Sequence, residues 1–177
     1  LAASPYVGRL LYHSVTMKFP IAVSLLLLLA TASQAQVANI SDPRLQIKLT
    51  TPTGDSISLS SLKGKVVLLD FWASWCIPCR SSNKKLTKLY KKYNARGFEI
   101  FGVSLDEDVS DWVKAISKDN ITWPQVIDPR GQNARAAIDW NVYALPTSYL
   151  INKNGDVVAI GLEGRELEKA LEKLLNE

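Results

Sequence analysis

Both cysteines of the 177-residue chain lie in one tetrapeptide, Cys76-Ile77-Pro78-Cys79, and its flanks change character sharply. Val66-Val67-Leu68-Leu69 leads in as a continuous apolar run, the mark of a buried strand. Leu86, Leu89, Tyr90 and Tyr93 follow at i, i+3, i+4 and i+7, one face of a helix. The pair therefore stands where a strand passes into a helix. A fold built on this chain needs a central buried strand, a helix laid over it, and the first cysteine at that helix's amino end.

The residues before this region read differently. Met17-Lys18 precedes an apolar run from Phe19 to Ala30, and Ser33-Gln34-Ala35 closes it with small residues. A basic start, a short apolar stretch and a small-x-small site form a secretory signal pattern over residues 17–35. The run is shorter than the roughly 20 apolar residues of a membrane span. The alternative is a segment that stays in place as an anchor. Leu1 to Thr16 stands upstream of Met17 and is read as upstream translation without a structural role. The folded domain is expected over residues 36–177. Removing residues 1–35 takes away Arg9 and Lys18 and no acid, so the net charge of +4 falls to +2. So slight a basic balance gives no argument for nucleic acid, and none is expected as a partner. With 47% hydrophobic and 21% charged residues the composition is that of a globular domain able to bury a core.

Export would place two cysteines in an oxidising space, where cysteines usually form structural bridges. A bond across three positions closes a very small loop, and the entropic gain grows with loop length. Such a bond stabilises little, which favours a reactive pair. The first turn of a helix offers free N–H groups and the positive end of the dipole, so Cys76 is expected to have a lowered pKa. Cys79, one turn deeper, is expected to be the more buried. Cys76 then exchanges with a partner disulfide and Cys79 resolves the mixed disulfide. Pro78 suits a helix start, where its missing N–H is not needed. A structural zinc site needs four ligands. The single histidine, His13, lies ahead of Met17 and there is no third cysteine, so no metal is expected. A thiol peroxidase and a non-catalytic binding module with a locked disulfide remain as alternatives. Asp70, six positions before Cys76, ends an apolar run. Buried there, its carboxyl would have a raised pKa and could take the proton of Cys79.

The remaining chain supplies the support. Leu45 to Leu49 and Ser56 to Leu59 alternate apolar and polar around the turn Thr51-Pro52-Thr53-Gly54-Asp55, predicting an N-terminal hairpin. The first helix is expected to stop at Arg96-Gly97. Phe98 to Leu105 reads as a second buried strand. Val109, Trp112, Val113 and Ile116 repeat at helical spacing after Asp106-Glu107-Asp108. Trp123 to Ile127 reads as a short extended piece, and Ala134 to Trp140 as a short helix. Ser148 to Ile151 and Val157 to Ile160 flank the turn Asn152-Lys153-Asn154-Gly155-Asp156, and a last helix follows with Leu167, Leu171, Leu174 and Leu175 on one face. Strand, helix and strand in succession imply a parallel pair, and the closing hairpin adds antiparallel strands. The fold class is α/β, a mixed central sheet with helices on both faces.

Asp70-Phe71-Trp72-Ala73-Ser74-Trp75-Cys76-Ile77-Pro78-Cys79 resembles the active-site segment of the thioredoxin superfamily. Phe101 to Asp106, and Leu145-Pro146-Thr147 with Asn152 to Gly155, resemble its exported TlpA/ResA-like group. The resemblance runs from about Leu45 to the last residue. It implies a thioredoxin-like three-layer fold with an N-terminal extension and an insertion after the second core strand, over roughly Asp106 to Ile138. It implies Cys76 as nucleophile, Cys79 as resolver and Asp70 as the buried acid. It also implies Pro146 as a cis-proline facing the dithiol, presenting Leu145 to substrate. Ser82 and Lys84 stand where many envelope members carry a glutamate and a proline, which weighs against a specialised role in cytochrome c maturation. No histidine lies between the cysteines, which weighs against a strong oxidant.

The expected activity is that of an exported thiol–disulfide oxidoreductase reducing protein disulfides, periplasmic or held at the cell envelope, monomeric, and needing no cofactor beyond its dithiol. A membrane thiol carrier is the expected electron donor. Trp75, Ile77, Pro78, Leu145 and Pro146 are the expected substrate contacts. Trp72, beside the dithiol, is read either as a groove wall or as packing. Asp106 and Glu107 are read either as facing the site or as helix-start acids. Arg80, Lys84, Lys85, Lys88, Lys91 and Lys92 are read as a solvated basic helix face.

Overall fold

The computed structural model describes residues 42–177, so the upstream segment and the signal pattern lie outside the described residues. Seven strands form one sheet: β1 (Lys48–Thr50), β2 (Ser56–Ser58), β3 (Val66–Trp72), β4 (Phe98–Ser104), β5 (Gln125–Ile127), β6 (Thr147–Ile151) and β7 (Val157–Ile160). Their order is β2-β1-β5-β4-β3-β6-β7. Pairs β3·β4 and β4·β5 are parallel, while β6 runs antiparallel to both β3 and β7. The helices are α1 (Ile77–Tyr93), α2 (Val109–Lys118), α3 (Arg135–Asp139) and α4 (Gly164–Asn176).

Every residue of β3 and β4 is buried, as their apolar-rich runs lead one to expect, and Asp70, Glu99 and Ser104 are buried with them. Successive side chains of a strand point to opposite faces. Val66, Leu68 and Trp72 accordingly join the core under α1, α2 and α4, together with Leu86, Trp112 and Leu167. Val67, Leu69 and Phe71 join the opposite core, with Phe101, Trp140 and Tyr149. Each fully buried side chain of this size contributes about 1.5–3 kcal/mol. Helices and turns thus cover both faces, the three-layer arrangement expected.

α1 passes into a 3-10 turn, Asn94–Arg96, and stops at Gly97, whose φ of 96° is left-handed. The insertion between β4 and β6 supplies α2, β5 and α3. Two local expectations are corrected. Leu45 and Gln46 belong to a 3-10 turn, Pro43–Gln46, and the strand starts only at Lys48. The Asp42 carboxylate accepts the Arg44 N–H at 2.9 Å, and Pro43 fixes the turn that precedes the strand. On α2, Val109 and Val113 are exposed while Trp112 and Ala115 are buried. The helix is rotated so that Trp112, Ala115 and, just past its end, Asp119 face inward. An ion pair from Asp119 to α1 fixes that rotation.

Candidate active site

Cys76 is the N-cap of α1, one position outside the first turn in which the spacing placed it. Its Sγ accepts the Cys79 N–H at 3.2 Å. Cys76 and Cys79 are joined as a disulfide, Cys79 the more buried at 1% exposure against 5%. Once that bond opens, a thiolate at Cys76 keeps this N–H donor and the positive end of a 17-residue helix. Pro78 stands in the first turn, where no N–H is needed. Trp75 and Ile77, on either side of Cys76, are 60% and 82% exposed.

The loop carrying Cys76 is clamped from two sides. The Asp106 carboxylate, buried at the end of β4, accepts the Ser74 N–H at 2.9 Å, the Ser74 hydroxyl at 2.6 Å and the Ser104 hydroxyl at 2.7 Å. Asp106 is therefore a brace of the dithiol loop and not a helix-start acid; Asp108 caps α2 instead. From the other side, Arg80 donates to the Ser74 carbonyl at 3.1 Å and forks onto Asp119 through Nε and Nη2. Asn83 donates to the same carboxylate at 3.3 Å. Burial works to raise the Asp119 pKa, but the Arg80 and Asn83 hydrogen bonds outweigh it and hold the pKa below the usual value. Arg80 is thus removed from the basic face and acts between α1 and the insertion.

Asp70, on β3 six positions before Cys76, is 5% exposed. Burial, and next the negative charge of Glu163, push its pKa from 3.8 to about 7. It borders a cavity of about 440 Å³ between α1 and α4, together with Ser82, Lys85, Pro146, Ser148 and Glu163. The Leu145–Pro146 bond is cis. Leu145 and Trp75 border a separate groove of about 480 Å³ with Leu105, Ile138 and Tyr143 from the insertion and the loop after it. Trp72 does not wall a groove. It is 1% exposed, and its indole N–H donates to Gln125 Oε1 at 2.9 Å.

Spacing did not reveal Ser74, Asp119, Gln125 or Glu163 as parts of this site. Gln125 carried one usable sign, a polar residue inside the apolar run Trp123 to Ile127. Among the described residues, no three His, Cys, Asp or Glu side chains gather as a metal site.

The sequence profile described as the AhpC/TSA family matches residues 40–160. The chain is 33% identical over 127 residues to the thiol-disulfide oxidoreductase ResA of Bacillus thuringiensis subsp. konkukian, covering 72% of this chain and 71% of that one. It is 32% identical over 166 residues to the ResA protein of Oceanobacillus iheyensis, covering 86% and 84%. Among solved structures, a thiol-disulfide oxidoreductase from Bacteroides fragilis superposes with a TM-score of 0.68 at 34% identity, over 72% of this chain and 96% of that one.

Proposed function

The chain belongs to the AhpC/TSA family and is a thiol–disulfide oxidoreductase of thioredoxin-like fold, and from that premise we propose that it is exported and reduces disulfides of other proteins. Cys76 is the nucleophile, Cys79 the resolving thiol and Asp70 the proton acceptor. Three observations support this reading: Cys76 is the N-cap of α1 with the Cys79 N–H on its Sγ, Cys79 is nearly fully buried, and the strand that leads into them carries a buried carboxyl, Asp70.

In the reduced protein the Cys76 thiolate attacks one sulfur of a substrate disulfide. That S–S bond breaks, a mixed disulfide forms, and the first substrate sulfur leaves as a thiolate. Cys79 gives its proton to the Asp70 carboxylate and attacks Cys76 Sγ. The mixed disulfide breaks and the second substrate sulfur leaves. Two electrons pass to the substrate, and the protein is left with the Cys76–Cys79 bond. An external dithiol, a membrane thiol carrier, returns the electrons. An acid with a pKa near 7 is matched to this transfer at neutral pH. Trp75 and Leu145 border one groove and hold substrate beside the dithiol, with Ile77, Pro78 and Pro146 completing the contact. Export rests on the residue 17–35 pattern, and the protein acts as a monomer. No helix among the described residues is long and apolar enough to cross a membrane.

Insulin reduction by the wild type and by Cys76→Ser tests the reading. The variant is expected to fall to the uncatalysed background, and equal activity would sink the proposal. A reduction potential above about −300 mV is expected for a working pair, while a structural bond lies below it.

A further inference from the structure

Strands β3, β4 and β5 lie side by side, and their register places Asp70, Gly102 and Gln125 in one row. Residues paired across parallel strands point to the same face, so the middle position decides whether the outer two can meet. That position has no side chain. A Cβ at residue 102 would lie 2.1 Å from Gln125 Nε2 and 2.6 Å from both Cδ and Oε1. The Gln125 amide therefore lies over Gly102, displaced from its own strand toward β3. Its oxygen is engaged by the Trp72 indole N–H. Its nitrogen is buried and has no partner among the described residues.

The other end of the row has the complementary want. Burial and Glu163 govern the Asp70 carboxyl, and no hydrogen bond among the described residues contributes. A buried donor without an acceptor lies over Gly102, and the carboxyl on the next strand of the row, which borders the cavity, has no donor among the described residues. The step between neighbouring strands is about 4.8 Å, a separation that one hydrogen-bonded water spans. The charged groups around Asp70 approach from the cavity: Lys85, Lys88 and Lys92 on α1, and Glu163, Arg165 and Glu168 on α4 and its lead-in. From β6 and the residue before it the cavity receives Ser148 and Pro146, which are uncharged. The other three residues of this row, Gly102 and Gln125 on one side and Ser148 on the other, bring no charge.

We propose that Gln125 is a positioning residue for Asp70, its Nε2–H holding the ionised carboxylate through one bridging water above Gly102. The water donates to the carboxylate while Asp70 is charged, and accepts from it once Asp70 has taken a proton. Gly102 is the residue that leaves room for this link. Its bearing on turnover rests on the proton-accepting role proposed for Asp70; the link itself rests on the sheet geometry.

Two titrations followed by NMR in the disulfide form test it. In the wild type, the Gln125 side-chain NH₂ signals are expected to shift with the same midpoint as the Asp70 carboxyl carbon, and that shift is expected to vanish in Asp70→Asn. In Gln125→Leu, the Asp70 midpoint is expected to rise by about one pH unit, roughly tenfold in proton affinity, because its charged form loses a donor. Gln125 signals that stay flat through the Asp70 titration overturn the proposal. So does an unmoved Asp70 midpoint in folded Gln125→Leu. The wild-type titration needs no substitution and decides the matter even if the leucine variant does not fold. If both shifts occur while the pH profile of insulin reduction is the same in wild type and Gln125→Leu, the link stands and the catalytic role of Asp70 falls.

Discussion

Asp70 and Asp119 are buried to nearly the same degree, 5% and 4% exposed. Their ionisation moves in opposite directions. Asp119 receives the Arg80 fork and an Asn83 amide, and its pKa is lowered. Asp70 receives no direct donor, faces Glu163, and its pKa rises to about 7. Asp128, at the end of β5, behaves like Asp119: hydrogen bonds from Arg130 hold its pKa low against burial. Burial alone does not decide the charge of a carboxyl; the supply of N–H donors does. In this molecule α1 supplies the donors to Asp119, which the insertion carries and which holds the dithiol loop through Arg80. The core strand β3 gives none to the acid proposed to move a proton.

The largest effect that sharpens this contrast belongs to Asp70→Asn. Folded Asp70 holds a proton up to about pH 7, whereas the unfolded chain releases it near 3.8. Stability from this group is therefore full below pH 3.8 and is lost as pH rises through 7. The asparagine variant is expected to be more stable than the wild type above pH 7, by up to about 4 kcal/mol, and no different near pH 3.5. Urea unfolding at the two pH values checks this, and an equal difference at both would break the comparison.

Asp119→Ala is expected to act in the opposite sense and somewhat less, losing about 3 kcal/mol at pH 7, because Arg80 is left part-buried without its carboxylate. A lowered pKa places the Asp119 contribution above pH 3.8, and it fades as pH falls below that value. Wild type and variant should converge in acid, as seen by urea midpoints between pH 5 and pH 2.5. Asp106→Asn should be the mildest, about 1–2 kcal/mol, since one oxygen that accepts from Ser74 and Ser104 becomes a donor. Thermal unfolding at pH 7 measures it, and a neutral result would show that the Ser74 clamp can rotate to compensate.

Much of the frame was legible along the chain. The runs at Val66 and Phe98 are β3 and β4, the cysteines mark the start of α1, and the turn at Asn152 to Asp156 joins β6 to β7. What periodicity could not supply was any contact between distant segments. The apolar spacing of Val109, Trp112, Val113 and Ile116 fits a helix but leaves its rotation loose, and a polar pair settles it: Arg80 to Asp119, 39 positions apart. Asp106 looks like any acid before a helix until the Ser74 loop folds back onto it. Gly102 and Gln125 carry meaning only in register, because neither residue type marks a site by itself.

The sheet order also sets a timetable for folding. β3 gains its first neighbour, β4, after a single helix, but its second, β6, comes only after the whole insertion. Pairing of such distant segments carries a large loop-closure cost before any contact repays it. A chain emerging from its amino end can join β3 to β4 and lay α1 over them while the β6 side of β3 is still bare. Leu145 comes beside Trp75 only with that late docking, so both cysteines are formed and placed before the groove next to Trp75 is complete. Oxidation during that interval would meet a pair not yet screened by its own protein.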